Sequence, residues 1–189
     1  MKTLKLMPLA LIALFSFNSC SNDDTSQPVN EEEIITTVTI TLTPEDGSQA
    51  VILTSRDLDG DGPNMPIFTS TGTIAALKNY NGTVSILNEL TTPVEDIALE
   101  IAEEGADHQF FYKAIEGLSG NFEYADEDEN GNPIGLKFIF TPSANTQSGF
   151  LNLILKHNPN KLGQNVGSGD ITNAGGATDI EVSFPVTVE

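Results

Sequence analysis

From Ile34 onward the chain changes rhythm: Val38, Ile40 and Leu42 fall on one side of a two-residue period, and Thr37, Thr39, Thr41 and Thr43 on the other. β-Branched residues in strict alternation predict a half-buried strand. Pro44-Glu45-Asp46-Gly47-Ser48 supplies turn chemistry, and Ala50–Ser55 reads as the returning strand. Further strands are predicted over Ile67–Thr71, Thr83–Leu87, Gln109–Ile115, Asn121–Tyr124, Leu136–Thr141 and Phe150–Lys156. A last one runs over Ile180–Val188, where Pro185 cannot donate to a ladder and so marks an edge or a bulge. Val166–Thr178, rich in Gly, Ser and Asn, reads as a long surface loop.

One segment admits two readings. Thr92-Pro93-Val94-Glu95 matches a capping box, with Thr92 as N-cap, Pro93 at N1 and Glu95 at N3, which allows a short helix over about 93–104 closed by Gly105. Against it, Ile97, Leu99 and Ile101 alternate with Asp96, Ala98 and Glu100, and this period of two favours a strand. Short strands separated by turn signals, with no βαβ rhythm, no Gly-rich phosphate loop and no repeat, predict an all-β fold. The expected architecture is a single β-sandwich, immunoglobulin-like or similar, over 34–189.

The pattern before residue 34 is of another kind. Lys2 and Lys5 precede an apolar run, Leu6–Phe17, that is shorter than the roughly 20 residues a bilayer span requires and is interrupted by Pro8. This is the layout of a secretory signal over 1–19. Phe17-Asn18-Ser19-Cys20 resembles a bacterial lipobox, with Ser19 as the small residue before the cut and Asn18 as its less common member. Cys20 is the one cysteine of the chain, so it has no disulfide partner and is expected to carry lipid. Each buried methylene of such a lipid stabilises membrane attachment by about 0.8 kcal/mol. Residues 20–33, polar and acidic after the lipid-bearing Cys20, read as a flexible tether. Asp23 and Asp24 resemble the acidic sorting tags of Bacteroidota surface lipoproteins. The expected location is the outer membrane, on its cell-surface or periplasmic face.

Composition narrows the partners. Cys20–Glu189 comprises 170 residues, enough for one domain with a real core. Removing Lys2 and Lys5 takes the formal charge from −19 to −21. Such a body repels nucleic acid and anionic lipid heads and attracts cations; it also simply favours solubility. Trp is absent and Tyr numbers 3, which gives little support to an aromatic sugar-stacking platform.

Two loops have half of a calcium motif. Asp57, Asp59 and Asp61, with Gly62 behind them, match the opening of an EF-hand loop, but position 8 is Asn64 and position 12 is Phe68. Asp126, Asp128 and Asn130, followed by Gly131, match again, with Lys137 at position 12. Neither is an EF-hand. Each could hold calcium at a sandwich edge with a carboxylate from elsewhere, and each is equally the ordinary composition of a hairpin turn. A third constellation gathers Glu100, Glu103, Glu104, Asp107 and His108, with His157 distant in sequence. On a helix Glu104 and His108 would stand at i, i+4 and could share a transition metal, His157 adding a second imidazole where the fold brings it near. Otherwise these are surface acids and solvated histidines. No G-x-S-x-G elbow occurs, the lone cysteine belongs to the lipobox, and 27 acids make any choice of a carboxylate pair uninformative, so no enzyme is expected.

Three stretches carry a family resemblance: TSRDLDGDGPN at 54–64, DENGNPIGLKF at 128–138 and GDITNAGGATDIEVSF at 169–184. With the lipobox they resemble small Bacteroidota envelope lipoproteins often labelled "type 1 periplasmic binding fold superfamily". The resemblance implies an envelope lipoprotein of unassigned ligand, with a TonB-dependent outer-membrane receptor as candidate partner. It supplies no catalytic residues. The label implies a two-lobed α/β structure built on parallel sheets, which requires βαβ crossovers and a longer chain; the residues themselves predict the sandwich.

Overall fold

In the computed structural model, residues 34–60, 62–143 and 147–189 are described. Cys20, the signal segment, the tether and Asp61 lie outside the described residues. Strands β1 (Thr37–Pro44), β2 (Val51–Arg56), β3 (Ile67–Ser70), β4 (Tyr80–Asn88) and β5 (Glu95–Asp96) lead into helix α1 (Ile97–Glu103). Strands β6 (His108–Ile115), β7 (Gly120–Tyr124), β8 (Lys137–Pro142), β9 (Gln147–His157) and β10 (Ala177–Val188) follow. They form two antiparallel sheets, a larger one in the order β3-β2-β1-β4-β8-β7 with β5 on β4, and a smaller one in the order β10-β9-β6. The fold is an all-β sandwich.

The alternation seen in sequence sets the register. In β1 the buried Val38, Ile40 and Leu42 face the core, while Thr39 and Thr41 are half-buried and Thr43 is exposed. Val84 and Ile86 of β4, Phe138 and Phe140 of β8, Phe110 and Tyr112 of β6, Leu151, Leu153 and Leu155 of β9, and Phe184 of β10 complete that core. Gly82 is where a ring takes the place of a side chain: it pairs with Phe138, and a Cβ there would stand 2.4 Å from the Phe138 ring. The neighbouring rings pack closely, Tyr112 on Phe138 at 4.1 Å and Phe122 on Phe140 at 4.7 Å between centroids. Backbone bonds of Ile74 with Thr187 (2.9 Å) and Glu189 (2.8 Å) tie the segment between β3 and β4 to the end of β10. Pro185 lies in β10, an edge strand, where a missing N–H costs no ladder bond.

The strand favoured over 97–101 is corrected. Ile97–Glu103 is helical, with Ile97 and Ile101 buried and Leu99 63% exposed. A strand would have put all three on one face; a helix brings i and i+4 together and turns Leu99 away. The capping box does not start it either: the N-cap is Asp96, and Glu95 instead accepts from Asn88 Nδ2 at 3.1 Å. The loop expected over 166–178 is also more built than expected. It holds two 3-10 turns, Val166–Ser168 and Ile171–Asn173, and buries Val166 and Ala174 against Phe111 and Ile154. This second, small core covers the outer face of β6 and β9. No helix among the described residues is long and apolar enough to cross a membrane.

Candidate functional site

The edges of the two sheets meet at β6 and β7, and a cleft of about 400 Å³ opens there. Residues of β6 from Tyr112 to Ile115 form one wall, Ser119–Tyr124 the other, and Ser168 and Gly169 of the covering loop close one side. Aromatic surface from Tyr112, Phe122 and Tyr124 lines it, among the polar side chains of Lys113, Ser119, Asn121, Glu123 and Ser168. The rings are held firmly. Tyr124 Oη donates to the Phe110 carbonyl at 2.6 Å and accepts from Gln109 Nε2 at 3.0 Å; burial raises its phenol to about 12. The Tyr112 hydroxyl donates to the Gly135 carbonyl, and burial raises that phenol well above its ordinary value. Both stay neutral donors at physiological pH. The lining mixes aromatic rings with polar and charged side chains in comparable measure, which suits a ligand or peptide that offers both apolar surface and hydrogen-bonding groups. The sequence named none of these residues as a site, because a cleft between two sheet edges leaves no local pattern.

The Asp-rich loops look different in three dimensions. Asp128 is buried; its Oδ1 accepts from the N–H groups of Asn130 and Asn132, both at 2.9 Å, and its Oδ2 accepts from Lys161 Nζ at 2.9 Å. Lys161 Nζ also donates to the carbonyls of Gly105 and of Pro133, the latter at 3.0 Å. Lys161 thus brings an ammonium from the chain itself to Asp128, one of the three residues the sequence offered to calcium in this loop. Burial draws the Asp128 carboxyl upward, but Lys161 and the N–H groups of Asn132 and Asn130 outweigh it and hold it below the usual carboxylate range. Asp126 accepts from the N–H groups of Gly135 (2.7 Å) and Lys137 (2.9 Å), with burial raising its carboxyl. Asn130 is exposed and lends the loop its backbone N–H.

In the first loop Asp57 Oδ1 accepts from the Asp59 N–H at 3.2 Å, and Asp59 Oδ2 accepts from Asn64 Nδ2 at 2.8 Å. Those are turn-forming bonds. Among the described residues one group of three histidine or carboxylate side chains converges: His108, His157 and Asp179. His108 and His157 face each other directly across the β6–β9 ladder, with rings stacked at 4.7 Å. Glu104, expected to join them, is exposed and gives His108 its backbone carbonyl instead, 3.2 Å from Nδ1. Asp179 of β10 takes the third position. Nothing local marks it in sequence, because Asp179 falls on the polar phase of the alternation that runs on through Ile180, Val182 and Phe184.

Comparison of the chain with protein-family models, with curated proteins and with solved structures finds no match.

Proposed function

We propose that this chain is a lipid-anchored binding or accessory protein of the outer membrane or cell surface, working beside a TonB-dependent receptor. The observation that carries the binding role is the cleft between β6 and β7, lined by aromatic rings and polar side chains. The anchor reading rests on the lipobox ending at Cys20 and the acidic tether behind it. The resemblance of 54–64, 128–138 and 169–184 to envelope lipoproteins supports the same compartment. In this reading the lipid holds the chain to the membrane and the cleft engages a ligand or a loop of the partner.

The test has two parts. The full chain, expressed in a bacterium that processes lipoproteins, is expected to partition into detergent, and Cys20→Ser is expected to leave it in the aqueous phase. A full chain that stays aqueous would sink the anchor. The mature chain is then used as bait on solubilised outer membranes, beside Asn121→Trp, which fills the cleft from an exposed position of β7. Capture of a receptor by the unmodified chain and its loss with Asn121→Trp is expected; equal capture by both would move the binding surface elsewhere.

A further inference from the structure

The ends of β6, β9 and β10 bring together His108, His157 and Asp179, which come from three strands. One ring nitrogen of each histidine and one carboxylate oxygen of Asp179 lie within 4.8 Å of one another. We propose that these three side chains bind a divalent late transition ion, Zn²⁺ in the first instance, with one coordination position left to water. This inference stands independently of the membrane anchor and of the β6–β7 cleft.

The donor set selects the ion. Two imidazole nitrogens and one carboxylate oxygen suit zinc and its neighbours; calcium and magnesium prefer all-oxygen shells. Zinc bonds of about 2.0–2.2 Å put tetrahedral donors roughly 3.4 Å apart. His157 Nδ1 and Asp179 Oδ1 are 4.0 Å apart, too far for a hydrogen bond and close enough to share an ion after a small side-chain rotation.

Four features prepare the site. The Glu104 carbonyl can only accept, so His108 Nδ1 carries the proton that it shares with that oxygen. The ring's lone pair is then on Nε2, and a second partner fixes the ring, as is usual for histidine ligands. Second, β10 has a register shift between Thr178 and Ile180. Thr178 pairs with Lys156, whose Nζ it meets through its hydroxyl at 2.9 Å on the outer face; Ile180 pairs with the core-facing Leu155. Asp179 is the extra residue, and the bulge sets it beside His157; re-aiming a side chain is what bulges do near functional sites. Third, access is graded. His108 is 1% exposed, whereas the side chains of His157 and Asp179 are 17% and 15% exposed, so an ion can enter from the His157–Asp179 side. Fourth, Gly176 passes so close that a Cβ would stand 2.3 Å from the His157 carbonyl, which keeps the chain entering β10 pressed against the end of β9.

The experiment uses the chain from residue 20 with Cys20→Ser, stripped with chelator and titrated calorimetrically with Zn²⁺, and separately with Ca²⁺. One Zn²⁺ per chain and a melting temperature raised by several degrees are expected, with Co²⁺ giving the visible absorption of a nitrogen- and oxygen-ligated ion. His157→Ala and Asp179→Asn, both partly exposed, are each expected to weaken Zn²⁺ binding at least about tenfold, while Glu104→Ala, which keeps the backbone carbonyl, leaves it unchanged. His108→Ala removes a buried ring and is read only if its far-ultraviolet spectrum matches the parent. Zn²⁺ binding that survives both His157→Ala and Asp179→Asn, or a chain that binds Ca²⁺ and not Zn²⁺, would overturn the assignment. So would no Zn²⁺ binding at all.

Discussion

Lys161 buries an ammonium among Asp128 and two backbone carbonyls, and that arrangement ties the Asp128 turn to the segment after β9. Removing one member of a buried ion pair leaves an uncompensated charge at a cost of about 3–5 kcal/mol. Lys161→Met is therefore expected to lower unfolding stability by about that amount, read from the urea midpoint at constant m-value. Adding Asp128→Asn to it is expected to recover part of the loss. The pH dependence has a defined sign. The folded Asp128 carboxyl sits below its unfolded value of about 3.9, so its contribution is present above that pH and is lost as pH falls through the folded value. Asp126, raised by burial, works in the opposite sense: its contribution is present at low pH and is lost as pH rises through its folded value. Titrating stability of Asp128→Asn against the parent isolates the first, and the parent's steeper loss below about pH 4 is the expected result. None of this was legible in sequence. Lys161 follows Asn-Pro-Asn and reads as one more solvated loop lysine; burial is a property of what the chain returns to cover it.

Helix α1 and strand β10 show why some elements read truly and others do not. Alternation over eight or more residues, as in β1 and β10, leaves a strand as the arrangement that buries one face. Seven residues in which Ile97, Leu99 and Ile101 are all apolar satisfy both periods, and packing on β4 decides. The two readings predict different mutants. Ile101→Ala is expected to cost about 2–5 kcal/mol, and Leu99→Ala less than about 0.5 kcal/mol, in the same chemical-denaturation assay. Equal losses would restore the strand. The bulge in β10 belongs here as well: a single extra residue aims Asp179 at His157, and a reading based on strict period two passes over it.

Across the domain, charge dominates. Glu89 pairs with Arg56 and Asp46 with Lys78, but over the whole sequence 27 acids stand against 8 basic residues, so acids far outnumber cations. Self-repulsion of this kind weakens the compact state and is screened over about 8 Å at physiological ionic strength. The melting temperature of the metal-free chain from residue 20 is expected to rise when sodium chloride is raised from near zero to about 0.15 M; a flat response would mean the acids are too dispersed to interact. Periodicity, turn chemistry and composition were enough to determine the sandwich, its strands and its acidic surface, because each depends on residues near one another in the chain. The tertiary structure alone decided that 97–103 is helical, that the 126–130 loop holds Lys161, that β6 and β7 flank a cleft, and that His108 meets His157 and Asp179. Each of those depends on groups far apart in sequence that only sheet register and loop return bring within a few ångströms.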